Sequence, residues 1–174
     1  FGKHIEELLV SPLPNWIIVI GYVCGGLMRG VMVGLVVTCV ALLFTFLHSH
    51  HLQVHNLAVI IAAVLLTSAV FSLGGLINAV FAKNFDQVNW IPSFVLTPLT
   101  YFGGVFYSVD LLPEWAQKLS MVNPILHMVN AFRYGFLGIS DVSVVGAFTI
   151  MIVCTLALFT WAIILLNRGS GTRD

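Results

Sequence analysis

The chain has 174 residues, of which 59% are hydrophobic and 8% charged, against about a quarter charged in an ordinary soluble domain. That composition excludes a soluble globular domain and predicts a membrane-embedded one. A formal net charge of zero gives no sign of a basic excess, so nucleic acid is not expected as a partner.

The first residues, FGKHIEELL, contain neither an initiating Met nor the basic stretch and small-residue cleavage site of a signal peptide. We therefore expect an earlier part to precede them. Within the cytoplasmic segment 1–14, residues 3–14 read as a short helix stopped by Pro12 and Pro14. Ile5, Leu8 and Leu9 form an apolar edge, and Lys3, Glu6 and Glu7 a polar one. Such a helix lying on a membrane suits contact with a soluble partner, or serves as a simple interfacial anchor.

A span needs about 20 apolar residues. Four stretches qualify or come close: 16–47, 57–82, 91–107 and 144–166. The first joins WIIVIGYVCGGLM to GVMVGLVVTCVALLFTFL and carries Arg29, which would have to face protein or snorkel toward water. Gly26, Gly30 and Gly34 recur on one face of it, a spacing that lets helices approach closely in lipid. The third is short and interrupted by Pro98, Gly103 and Gly104. The predicted class is thus all-α, a single polytopic helix bundle over residues 1–174.

Between the first two spans lies HSHHLQVH. His48, His50, His51 and His55 could hold zinc or copper, which makes a metal transporter or sensor the rival reading. No carboxylate or thiolate accompanies them, however, and Cys24, Cys39 and Cys154 sit in apolar runs without metal-site pairing. The reading adopted has no metal site.

Residues 108–143 explain why so apolar a chain breaks at YFGGVFYSVDLLPEW. Gly103 and Gly104 weaken the helix, and Pro113 and Pro124 restrict the backbone further along. Trp115, Leu119 and Val122 share a helical face opposite polar neighbours. Short helices that dip into a leaflet would form a lid, since irregular backbone at membrane depth needs protein or a cavity to cover it. Arg133 is expected to contact Asp110, Glu114 or Asp141.

Four crossings would put Lys3, Lys83, Arg168 and Arg173 on one side, and Lys118 and Arg133 on the other. The excess of positive charge places both ends in the cytoplasm and 108–143 outside. The middles of the spans lack Asp, Glu, Lys and His, and no phosphate-cradling G-x-x-x-x-G-K-[ST] motif exists. Nor is any intramembrane hydrolase motif present, so no catalytic residues are assigned. Uphill transport would need energy from a separate subunit.

Four blocks, IEELLVSPLP, NAVFAKNFD, PSFVLTPLTYFGGVFYSVDLLPEW and NPILHMVNAFRYGFLG, resemble the type-2 ABC transporter permeases along the whole chain. The resemblance implies the carboxyl-terminal two-thirds of a six-span inner-membrane permease, with the first two spans missing. It implies a permease homodimer in lipid beside two ATP-binding subunits, which would use ATP and Mg; this chain would bind no cofactor. Export of polysaccharides, lipids or drugs is the usual activity. Glu6, Glu7, Leu8, Leu9, Ser11 and Pro12 would couple to the ATPase. Pro98, Gly103, Gly104, Pro113, Pro124 and Arg133 would form the extracytoplasmic gate, and Gly26, Gly30 and Gly34 would pack helices.

Overall fold

A computed structural model describes residues 14–47, 54–82, 85–106 and 111–168. Every described element is helical. In chain order these are α1 (Asn15–Leu47), α2 (Leu57–Phe81), α3 (Phe85–Ile91), a π-helical stretch (Pro92–Leu96), α4 (Thr97–Tyr101), α5 (Glu114–Val122), α6 (Pro124–Leu137) and α7 (Val144–Asn167). Long apolar runs become helices because, without water, only intra-segment hydrogen bonds satisfy the backbone.

Among the described residues, three helices are long and apolar enough to cross a membrane: Asn15–Phe44, Leu57–Phe81 and Val144–Asn167. Their limits fall within a residue or so of the predicted spans, apart from the end of the first. The stretch expected to cross as 91–107 behaves differently. Its helical run begins at Phe85, ends at Tyr101 and splits into α3, the π stretch and α4. At 1.5 Å per residue it covers about 25 Å, less than a typical hydrocarbon core. The cause is Pro98, which has no N–H and whose ring crowds the carbonyl four residues earlier. Widening to π geometry absorbs that crowding, and the Thr97 N–H reaches back to the Pro92 carbonyl.

The bundle is organised around α2. Asn15 donates to Asn167 at 2.6 Å, so α1 starts where α7 ends; this end is the base. Gly26 and Gly30 of α1 abut Ser72 and Ser68 of α2, which fixes the two helices as antiparallel. Near the base, Val19, Leu73, Leu76, Ile77, Ala162, Leu165 and Leu166 form one buried cluster. Higher up, Ala63, Val70, Met128, Ala131 and Met151 form a second, joining α2, α6 and α7. At the top, Asn56 caps α2 by accepting from the Val59 N–H. The Asn56 N–H donates to the Gly135 carbonyl at 2.9 Å, which ties the α1–α2 connection to the end of α6. Helix α6 thus runs along α2 near its top, and α5 folds back on it.

Candidate functional site

The predicted gate residues fall at the junction of the broken helix with the α5–α6 hairpin. After α4 the chain turns at 102–104, where the Phe102 N–H returns to the Pro98 carbonyl at 3.0 Å and the Gly103 N–H to that of Thr100 at 3.1 Å. Both glycines are buried. A Cβ at Gly103 would lie 2.8 Å from Ile125 Cγ2 and 3.1 Å from the Leu99 carbonyl oxygen, so a side chain there would displace Ile125 and crowd the turn. Gly104 has φ +67°, a left-handed conformation that other residues rarely adopt.

Pro113 and Pro124 each start a helix, where a missing N–H has no cost. The Pro113 carbonyl accepts from the N–H groups of Ala116 and Gln117. Asn123 caps α6, its Oδ1 accepting from the Ile125 N–H at 3.0 Å. Its Nδ2 donates to the Leu99 carbonyl at 2.5 Å, fastening the hairpin tip to the broken helix. Helix α5 turns its small residues Ala116 and Ser120 inward; Trp115, Leu119 and Val122, the face read from the sequence, point outward.

Arg133 joins three pieces of chain. Its Nη1 donates to Asp141 Oδ2 at 2.6 Å, and its Nη2 to the Gly104 carbonyl at 3.0 Å. Of the three acids considered from sequence, Asp141 is the one engaged; Asp110 lies outside the described residues. Asn130, almost wholly buried, positions that acid: its Oδ1 accepts the Asp141 N–H at 2.8 Å, with Ser140 Oγ 3.2 Å away. Two buried polar atoms at the α5–α6 joint have no hydrogen-bond partner among the described residues, Ser120 Oγ and His127 Nδ1. His127 Nε2 faces the Met121 carbonyl at 2.8 Å and therefore carries the ring proton.

Sequence reading singled out neither Asn123 nor Asn130. An Asn immediately before Pro is a capping signal that could have marked the first. An Asn inside the apolar run of α6 marks the second, since buried polar groups need partners. Of the three packing glycines, Gly26 and Gly30 meet α2, whereas nothing lies within 4 Å of a Cβ at Gly34. The coupling residues Glu6, Glu7, Leu8, Leu9, Ser11 and Pro12, and His48, His50 and His51, lie outside the described residues. His55 is described, and its ring stands edge-on to Tyr134 with centroids 5.2 Å apart. No group of three potential metal-binding side chains exists among the described residues.

Long apolar helices around a hairpin, which is pinned to a proline-broken helix, define a multi-pass membrane protein. The chain belongs to the ABC-2 type transporter family, whose match covers residues 3–137. It is 49% identical over its full length to the inner membrane transport permease YadH of Escherichia coli strain K12, and spans 66% of that protein. It is also similar to the capsule polysaccharide export inner-membrane protein BexB of Haemophilus influenzae. That identity is 32% over 59% of this chain and 38% of the relative. Nodulation protein J of Rhizobium leguminosarum bv. viciae is 24% identical over 76% of the chain and 49% of that protein. No solved structure matches the chain significantly.

Proposed function

We propose that this chain is the membrane-spanning part of a permease in an ATP-binding cassette exporter of the bacterial inner membrane. Two permeases pair, and two separate ATP-binding subunits hydrolyse ATP with Mg to drive them. The base of the bundle faces the cytoplasm, with both ends of the chain there. The run 85–101 completes a fourth crossing together with the residues after it. The α5–α6 hairpin re-enters the outer leaflet, its Trp115, Leu119 and Val122 face in lipid.

The observation that carries this reading is the double attachment of Arg133, to Asp141 and to the Gly104 carbonyl. It ties a hairpin to the turn at the end of a broken helix, the arrangement a gate needs when closed. ATP binding would draw the coupling segments together, tilt α1 and pull the turn away from α6. Ser120 and His127 would then gain partners from entering water, which offsets part of the cost of opening. The outward direction is supported by the relative named for capsule polysaccharide export. The largely apolar helix surfaces favour an amphipathic or lipid-linked cargo.

A cross-linking experiment tests the gate. The permease carrying this chain, with Cys24, Cys39 and Cys154 replaced, receives the pair Leu99→Cys and Asn123→Cys and is reconstituted with its ATPase. Joining the two thiols should stop release of a fluorescent amphiphile into or out of proteoliposomes, leave the ATPase bound, and be reversed by reductant. Undiminished transport in the joined protein would show that this contact does not open.

A further inference from the structure

Asn78 is a buried polar side chain that the gate reading leaves unused. It lies near the end of α2, at the base of the bundle, and is 7% exposed. Its Nδ2 donates to the Val88 carbonyl at 2.8 Å. In an unbroken helix that carbonyl would accept the N–H of residue 92. Residue 92 is a proline, which has no N–H and whose ring crowds the carbonyl four residues before it. The amide of Asn78 therefore holds an acceptor that has lost its partner within the helix.

The upper end of the broken helix is held by the same device. There the Gly103 N–H goes to the Thr100 carbonyl, and the Leu99 carbonyl accepts from Asn123 Nδ2. From Val88 to Leu99 the axis rises about 16 Å at 1.5 Å per residue. Between them residues 89–95 are all exposed within the described bundle, whereas Val88, Leu99 and the 102–104 turn are not. The described bundle thus holds this helix by its ends, through an asparagine amide on a carbonyl at each. The two grips differ in their setting. Asn123 belongs to the hairpin of the proposed gate. Asn78 belongs to α2, which packs on α1, α6 and α7. A single hydrogen bond to one carbonyl keeps the foot of the helix in place yet lets the helix turn about it. Pro92, by removing a backbone bond beside that point, gives the turn its slack.

We propose that Asn78 is a positioning residue of the gate: by gripping the Val88 carbonyl it fixes the foot on which 85–101 swings when Asn123 and Arg133 let go of its upper end. This fulcrum presupposes the gate and adds the point about which it moves.

Spin labels test the fulcrum in detergent, without ATP or cargo. The full permease, with its other cysteines replaced, carries them at Ser93→Cys on the broken helix and Ile61→Cys on α2, both exposed. The distance distribution should be narrow with Asn78 in place and at least twice as wide in Asn78→Leu. Asn78→Gln, which keeps the amide, should restore much of the narrowness. Pro92→Ala added to Asn78→Leu returns an N–H to the Val88 carbonyl. It should recover the melting temperature that Asn78→Leu loses, yet leave the distribution wide. In proteoliposomes with the ATPase, Asn78→Leu should move at least threefold less fluorescent amphiphile per ATP hydrolysed. Circular dichroism establishes folding; where Asn78→Leu alone does not fold, the double variant carries the comparison. An equally narrow distribution without Asn78 would overturn the proposal. So would narrowing by Pro92→Ala, which would reduce Asn78 to satisfying one backbone group, and so would unchanged transport per ATP. Failure of the gate itself is read separately, as undiminished transport by the protein joined through Leu99→Cys and Asn123→Cys.

Discussion

At the scale of single residues, the Arg133–Asp141 pair is part-buried, with 21% and 16% of the two side chains exposed. A pair so placed loses little to solvent screening, and removing one partner leaves a charge with an inadequate environment. Asp141→Ala should therefore destabilise the folded chain by roughly 1.5–3 kcal/mol, the range for hydrogen bonds to charged groups. Asn130→Ala should have a similar effect through Asp141, because the loop N–H then loses its acceptor. Thermal unfolding in detergent reads both, and the double variant should cost less than the sum because the two share one network. Ser120→Ala carries the opposite sign. It removes a buried hydroxyl that has no partner among the described residues, so it should raise stability by about 1 kcal/mol. If the joint opens to water during transport, the same change should slow transport. A stabilised variant with unaltered turnover would place Ser120 outside the moving part.

At the scale of elements, the two helices α1 and α2 approach through small residues, since in lipid it is packing rather than burial from water that holds helices together. Gly30→Val would push methyl groups into Ser68 and part the helices, whereas Gly34→Val meets open space. Gly30→Val should thus lower the melting temperature in detergent by several degrees, and Gly34→Val should barely move it. The i, i+4 repeat was legible in the sequence, but not which of its glycines faces a neighbour: that depends on where α1 crosses α2. The same division holds elsewhere. The limits of α2 and α7 could be read because an apolar run ended by polar residues has one helical solution. The 85–101 segment could not, because Pro98 can be absorbed by a kink, a break or a π turn, and only the surrounding packing selects. The hairpin prolines were legible as restrictions on the backbone but not as helix starts; the partners of Arg133 were not legible either, since Asp110, Glu114 and Asp141 are equivalent acids until the 138–143 connection is folded over α6.

At the scale of the whole molecule, the proposed coupling depends on which end of the bundle faces the cytoplasm. Arg168 lies at the base beside Asn167, and Lys118 lies in the hairpin. Excess positive charge near span ends favours the cytoplasm, so a membrane-impermeant amine reagent applied to spheroplasts should modify Lys118 and spare Lys83 until the membrane is permeabilised. The opposite pattern would invert the protein and turn the hairpin into a cytoplasmic feature. With the base inside, the proposed coupling role has Glu6 and Glu7, the polar edge read from the sequence, meet the soluble subunit. Glu7→Arg reverses one charge on that polar edge without touching the apolar one. Losing a single charged contact of about 1.4 kcal/mol corresponds to about tenfold in affinity. Copurified ATPase should therefore fall by about that factor, with the permease still folded and inserted, and the loss should shrink at high salt because the contact is at a solvated rim. Loss of the permease from the membrane would instead mark residues 1–14 as an anchor, and unchanged copurification would remove Glu7 from the docking surface.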